Sequence, residues 1–152
     1  MIIRPCRPED VPTAVRLVSS VLANEFPKDQ AAYPAGDLER IFESYAGPGG
    51  VFLVAEEEGR IVGTCGVKAD DPKSAILRRL FVDPGYRKRG IGGRLLQEAL
   101  AFCRQKGFRE VVIRTADSME EAIRLCTDAG FQEEGRWSMG PVTLVRFCLR
   151  LT

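Results

Sequence analysis

The residues most able to do chemistry in this sequence lie together, in Arg87-Lys88-Arg89-Gly90-Ile91-Gly92-Gly93. They follow an apolar run ending Val82-Asp83-Pro84 and lead into a helical pattern. The first turn of a helix carries N–H groups with no partner inside the helix and the positive end of the macrodipole, so it attracts anions. Glycine lets a phosphate approach the main chain closely, and three cations supply countercharge. The segment reads as a pyrophosphate cradle. It is no P-loop, because Gly93 is followed by Arg94-Leu95 where Lys-Ser or Lys-Thr is needed. Nor is it a dinucleotide fingerprint, since Leu95 stands at the third glycine position.

Histidine is absent from all 152 residues. That removes Ser-His-Asp and Cys-His nucleophile pairs and the usual zinc sites, so no metal is expected. Acid–base work falls to Asp, Glu, Tyr, Cys, Lys, main chain or water. The five cysteines fall at scattered spacings, with no Cys-x-x-Cys pair. Cys65, Cys103 and Cys148 sit in apolar runs and read as buried thiols, which suits a reducing cytoplasm. A net charge of +1 and no aromatic–basic stripe give no reason to expect nucleic acid. No apolar run approaches membrane-spanning length and the N-terminus lacks a signal pattern, so no membrane partner is expected.

The elements that must position the cradle follow from periodicity. Residues 1–152 read as one domain of ordinary composition. Ile2 to Cys6 is a short strand, and Pro8-Glu9-Asp10 starts a helix carrying Val11, Ala14, Val15, Val18, Val21 and Leu22 on one face. Asn24 to Gly36, with Pro27 and Pro34, reads as a loop, and Asp37 caps a helix to Tyr45. Val51 to Glu56, Ile61 to Lys68 and Ala75 to Val82 are consecutive strands, the first two joined by a turn at Glu57-Glu58-Gly59-Arg60. A helix from Gly92 to Lys106 and a strand from Phe108 to Thr115 complete a right-handed parallel crossover. Ser118-Met119-Glu120-Glu121 is a capping box opening a helix that Gly130-Phe131 ends. Phe131 to Leu151 forms two final strands around Arg136 to Pro141.

Arg87, Gly90 and Gly92 satisfy the pattern Arg/Gln-x-x-Gly-x-Gly/Ala directly after a strand. This resembles the acetyl-coenzyme A (acetyl-CoA) loop of the GNAT (general N-acetyltransferase) superfamily, and the order of elements resembles that family over essentially the whole chain. The resemblance implies an α/β GNAT fold, a mixed sheet of about seven strands flanked by about four helices. It also implies a sheet splayed between the strands ending near Val82 and Thr115. The pantetheine arm would lie in that gap, bonded by the main chain of Leu80, Phe81 and Val82. N–H groups and side chains of Arg87, Lys88, Arg89, Gly90, Ile91, Gly92 and Gly93 would hold the pyrophosphate.

Two features common in that family are replaced here. Its strand glutamate falls at Ile76, and its helix tyrosine, the proton donor to the leaving thiolate, falls at Cys126. Cys126 is a candidate acid, against a better-favoured reading as a small hydrophobe on an apolar helix face. Asp117, near the end of the second splayed strand, is the candidate base, against a role in helix entry. Glu25, Arg114 and Thr115 are candidates for the acceptor site, with Asp29 and Arg136 as further charges; for each a solvated side chain is the plain alternative.

The activity implied is acetyl transfer from acetyl-CoA to a primary amine, by direct attack through a tetrahedral intermediate. The acceptor is expected to be a small molecule, one bearing a carboxylate among the options, and the protein a monomer or homodimer. The alternatives are a coenzyme A (CoA)-binding sensor with little turnover, a peptide or protein N-acetyltransferase and, least of all, a nucleic-acid binder.

Overall fold

A computed structural model describes residues 1–32 and 34–151, with only the main chain of Gln30, Ala31 and Ala32. Tyr33, inside the expected Asn24–Gly36 loop, lies outside the described residues. Seven strands form one sheet: β1 (Ile2–Pro5), β2 (Val51–Glu57), β3 (Arg60–Ala69), β4 (Ser74–Val82), β5 (Glu110–Ala116), β6 (Gln132–Met139) and β7 (Val142–Arg150). Their order is β1-β2-β3-β4-β5-β7-β6. Every neighbouring pair is antiparallel except β4 and β5, which run parallel.

Alternation along the strands sends side chains to two faces. Ala75 and Leu77 of β4 and Val111 and Ile113 of β5 meet Leu95, Leu96 and Leu100 of α4 (Ile91–Gln105) on one face, and α5 (Glu120–Asp128) packs there too. On the other face Val18, Val21, Leu38 and Ile41 meet Val54 and Leu144. The first four belong to α1 (Val11–Glu25), α2 (Gly36–Glu39) and α3 (Ile41–Ser44), the last two to β2 and β7. Leu77, Leu95, Leu96 and Leu100 are fully buried, each worth about 1.5–3 kcal/mol relative to exposure. No helix is long and apolar enough to cross a membrane among the described residues.

The structure corrects the sequence expectation in four places. The helix expected from Asp37 to Tyr45 is broken at Arg40, whose φ and ψ are −139° and 60°. The Tyr45 hydroxyl donates to Asp37 Oδ2 at 2.6 Å. In an unbroken helix those residues would sit about 12 Å apart along the axis, so the break lets them meet. Second, Ser118 does not cap α5. Its hydroxyl donates to the Asp29 carboxylate, and Met119 takes the cap position without a side-chain capping bond to the helix start. Third, β6 runs on through Arg136 to Met139, still paired with β7, and the chain turns at Gly140 with φ of +62°. Only Gly140-Pro141 of the expected turn leaves the ladder. Fourth, the loop after α1 includes a short 3₁₀ segment, Pro27–Ala32.

Candidate active site

Strands β4 and β5 stay together for four residue pairs, from Ser74–Glu110 to Leu77–Ile113. Beyond them β4 continues along β3 to Val82, while β5 continues along β7 to Ala116. The sheet therefore splays, and a cavity of about 790 Å³ opens in the gap. Phe81 pairs with Thr64 on β3. In an antiparallel ladder its neighbours Leu80 and Val82 then direct their N–H and C=O groups the other way, into the gap.

A bulge lies at the start of the splay. Thr64 faces Phe81 but Gly66 faces Arg78, so three steps of β4 match two of β3. The extra residue brings Arg79 to φ of +58°, a left-handed conformation costing a bulky residue on the order of 1–2 kcal/mol. Three contacts hold it there. Arg79 Nη2 donates to Asp37 Oδ1 at 2.6 Å and to the Pro34 carbonyl at 2.7 Å, and Nε donates to Asp37 Oδ2 at 3.0 Å. A fourth bond is local, with the Thr64 hydroxyl donating to the Arg79 carbonyl at 2.6 Å. Both charged side chains are buried, at 4% and 9% exposure. Burial alone would push the Asp37 carboxyl up, but the bonds from Arg79 and Tyr45 outweigh it and hold it below the usual carboxylate range. Burial and the Asp37 carboxylate push the Tyr45 phenol well up, so it stays protonated.

At the open end, Gly90 caps α4 in the left-handed region with φ of +78°, with no side-chain cap bond among the described residues. The N–H groups of Ile91, Gly92 and Gly93 are left facing outward from the helix start. A Cβ on Gly90 would meet nothing within 4 Å, whereas one on Gly92 would meet Leu125 Cδ1 at 2.9 Å. Gly90 is thus required by conformation, and Gly92 by the approach of α5. The Arg87 guanidinium is bidentate on Glu25, with Nη2 to Oε2 at 2.7 Å, and its Nε donates to the Val82 carbonyl at 3.1 Å. That carboxylate raises the Arg87 pKa. Arg89 lies 5.1 Å over the Tyr86 ring.

The "Acetyltransferase (GNAT) family" model matches residues 18–131. The chain belongs to the GNAT family. Human N-acetyltransferase 8 is 36% identical over 106 residues, which is 66% of this chain and 47% of that protein. The chain thus spans about half the length of such vertebrate relatives. A GNAT-family acetyltransferase structure from Staphylococcus aureus Mu50 is 26% identical with a TM-score of 0.84, covering 99% of both chains. YncA from Salmonella typhimurium, solved with acetyl-CoA, shares the fold at 18% identity and a TM-score of 0.78, covering 99% of this chain and 94% of that one.

The GNAT cavity is lined by Leu80, Phe81 and Val82 on β4, by Arg87, Lys88, Gly90, Ile91, Gly92 and Gly93 around the helix start, and by Arg114 and Thr115 on β5. Arg89 is not on its wall. The structure also places the acid and base candidates, and the charges Glu25, Asp29 and Arg136 expected near the acceptor, off this wall. Cys126 is wholly buried in the core under α4 and off the cavity wall, and burial pushes its thiol up to about 12. Asp117 is exposed and off the wall, its N–H tied to the Thr143 carbonyl. Glu25 is committed to Arg87, Asp29 is bonded by Ser118, and Arg136 is chelated by Glu133 at 2.9 Å. Sequence reasoning missed Arg78, Arg79, Asp37, Trp137 and Met139, all of which line the cavity. The visible signal was two consecutive arginines inside an otherwise apolar strand.

Proposed function

We propose that this GNAT chain is an N-acetyltransferase that moves the acetyl group of acetyl-CoA to a primary amine of a small molecule. One observation carries the reading: the unpaired edge of β4 runs, inside a single cavity, into the uncapped start of α4. An elongated ligand with amide groups at one end and a pyrophosphate at the other satisfies both. The residues present fit it: Leu80 and Val82 offer main-chain groups to the arm, and Ile91 to Gly93 offer N–H groups to phosphate.

Bound acetyl-CoA would supply a thioester carbonyl that a neutral amine attacks, forming a C–N bond as the C–S bond breaks. The chain's own part is to place and polarise. Main-chain N–H groups at the Arg79–Leu80 bulge can stabilise charge developing on a carbonyl oxygen. Among the described residues the wall carboxylates are Asp37, bonded to Arg79, and Glu121, which faces Arg124 at 3.6 Å. With both carboxylates so placed, the amine loses its proton to water, and the thiolate can leave unaided, as a thiol of pKa about 8.5 allows near neutrality.

Thiol release from acetyl-CoA, measured over amines, polyamines, amino acids and short peptides, tests the proposal. Turnover on small amines supports it; turnover on peptides alone would defeat the small-molecule reading. Among the described residues both wall carboxylates face an arginine, which also favours a second reading, a CoA-binding sensor. That protein would bind acetyl-CoA in calorimetry and release no thiol with any amine.

A further inference from the structure

The point where β4 and β5 separate carries a row of arginines. Arg78 and Arg114 follow the last paired residues, Leu77 and Ile113, so they are the first residues past the fork on adjacent strands. Both fall on the face away from α4, because Leu77 and Ile113 belong to the core under α4 and side chains alternate. Arg146 on β7 pairs with Arg114, which extends the row across a third strand. Arg146 has a counterion, Glu134 Oε1 at 2.9 Å. Arg78 and Arg114 have none: both are exposed on the cavity wall, with no hydrogen bond or ion pair among the described residues. Behind them Arg79 Nη1 is buried without a hydrogen-bond partner. Like charges on adjacent strands destabilise a sheet unless something neutralises them. Apolar groups line the same cavity, with Trp137 39% and Met139 50% exposed.

We infer that Arg78 and Arg114 form a carboxylate clamp for the acceptor, which is an amino acid with an apolar side chain. The inference rests on the N-acetyltransferase reading and deepens it. An anion between the two guanidiniums relieves their mutual repulsion and fixes the amine beside the bulge, where the acyl end of the arm lies. Trp137 and Met139 cover the apolar side chain. The cradle at α4 is separate, four residues further along β4 at the open end of the gap.

The test compares L-phenylalanine, phenylalaninamide and 2-phenylethylamine as acceptors, corrected for the fraction of neutral amine. The wild-type protein is expected to prefer phenylalanine in kcat/KM. Arg78→Gln and Arg114→Gln should each lower kcat/KM for phenylalanine about 10- to 100-fold, the loss of one charge-assisted contact, through KM. Phenylethylamine should change by less than about threefold, and Arg→Lys variants should recover part of the loss. Thermal unfolding of both variants should match or exceed wild type, since a like-charge pair is relieved. Equal losses on all three acceptors, or a wild-type preference for phenylethylamine, would overturn the clamp while leaving the N-acetyltransferase reading intact. If no amine releases thiol, the activity fails, and calorimetry on the CoA-loaded protein decides the clamp alone. N-acetylphenylalanine should then bind at least tenfold tighter than N-acetylphenylethylamine, and lose that margin in either variant. Equal binding overturns it.

Discussion

Asp37→Asn is expected to be the most damaging conservative change near the cavity. It removes the charge that faces the Arg79 guanidinium, and Arg79 is both buried and held at a positive φ. At 4% and 9% exposure the pair is hardly screened, so the discount proper to surface ion pairs does not apply. Breaking a buried pair by removing one partner costs about 3–5 kcal/mol. Asparagine keeps an acceptor for the Tyr45 hydroxyl, which points to the lower end, roughly 3 kcal/mol. At about 2–4 °C per kcal/mol for a chain of this size, Tm should fall by roughly 6–12 °C. Urea unfolding and calorimetry measure both quantities. The pH dependence checks the cause. Because the folded carboxyl lies below its unfolded value, the stabilisation is fully present above pH ~4 and is lost as pH falls through the lower folded value. The gap between wild type and variant should therefore be constant near neutrality and close only in acid. A difference under about 1 kcal/mol at pH 7, or one that closes near pH 6, would refute the reasoning.

Glu25→Gln should release Arg87 for phosphate; the half-exposed pair is worth about 0.2–1 kcal/mol, so CoA should bind about 1.5- to 5-fold tighter by calorimetry. Gly92→Val should destabilise the α4–α5 contact by about 1–3 kcal/mol in urea unfolding, and Leu125→Ala in the same chain should recover part of it, since the clash is with Leu125. Cys126→Ala should keep most of kcat in a thiol-release assay, because the thiol is buried and off the cavity wall; a loss of several hundredfold would make it an acid after all. Cys126→Tyr should lower Tm through overpacking rather than add a proton donor.

Most of the framework was legible because local rules agree with the global one. The order of strands and helices and the glycine-rich start of α4 follow from apolar period and glycine placement. The splay between the strands ending near Val82 and Thr115 came from the family resemblance; it opens just past Leu77 and Ile113. What was not legible depends on long-range partners. Ser118-Met119-Glu120-Glu121 has the letters of a capping box, but Asp29, 89 residues away in sequence, takes the serine hydroxyl. Asp37 looks like a helix cap and is instead the counterion of Arg79 on β4. Trp137 and Met139 were read as part of a turn, and strand pairing with β7 carries them to the cavity. Cys126 came from alignment to a family pattern and Asp117 from its place near the end of a strand, and neither says which way a side chain points.

Among the described residues, the four pairs joining β4 to β5 are the sheet's only ladder between its two halves, β1 to β4 and β5-β7-β6. A ladder that short invites sub-global opening, so the halves should behave as separate foldons in native-state hydrogen exchange. Amides of Leu80 and Val82, facing the gap, should exchange by local fluctuation, while those of Val111 to Ile113 wait for the halves to part. A ligand lying in the fork acts as an eighth strand that bridges them. It would raise the free energy of that opening by RT ln(1 + [L]/Kd), about 2.7 kcal/mol at a hundredfold excess over Kd. Exchange rates in the fork would then report ligand occupancy in a protein that need not change shape to bind.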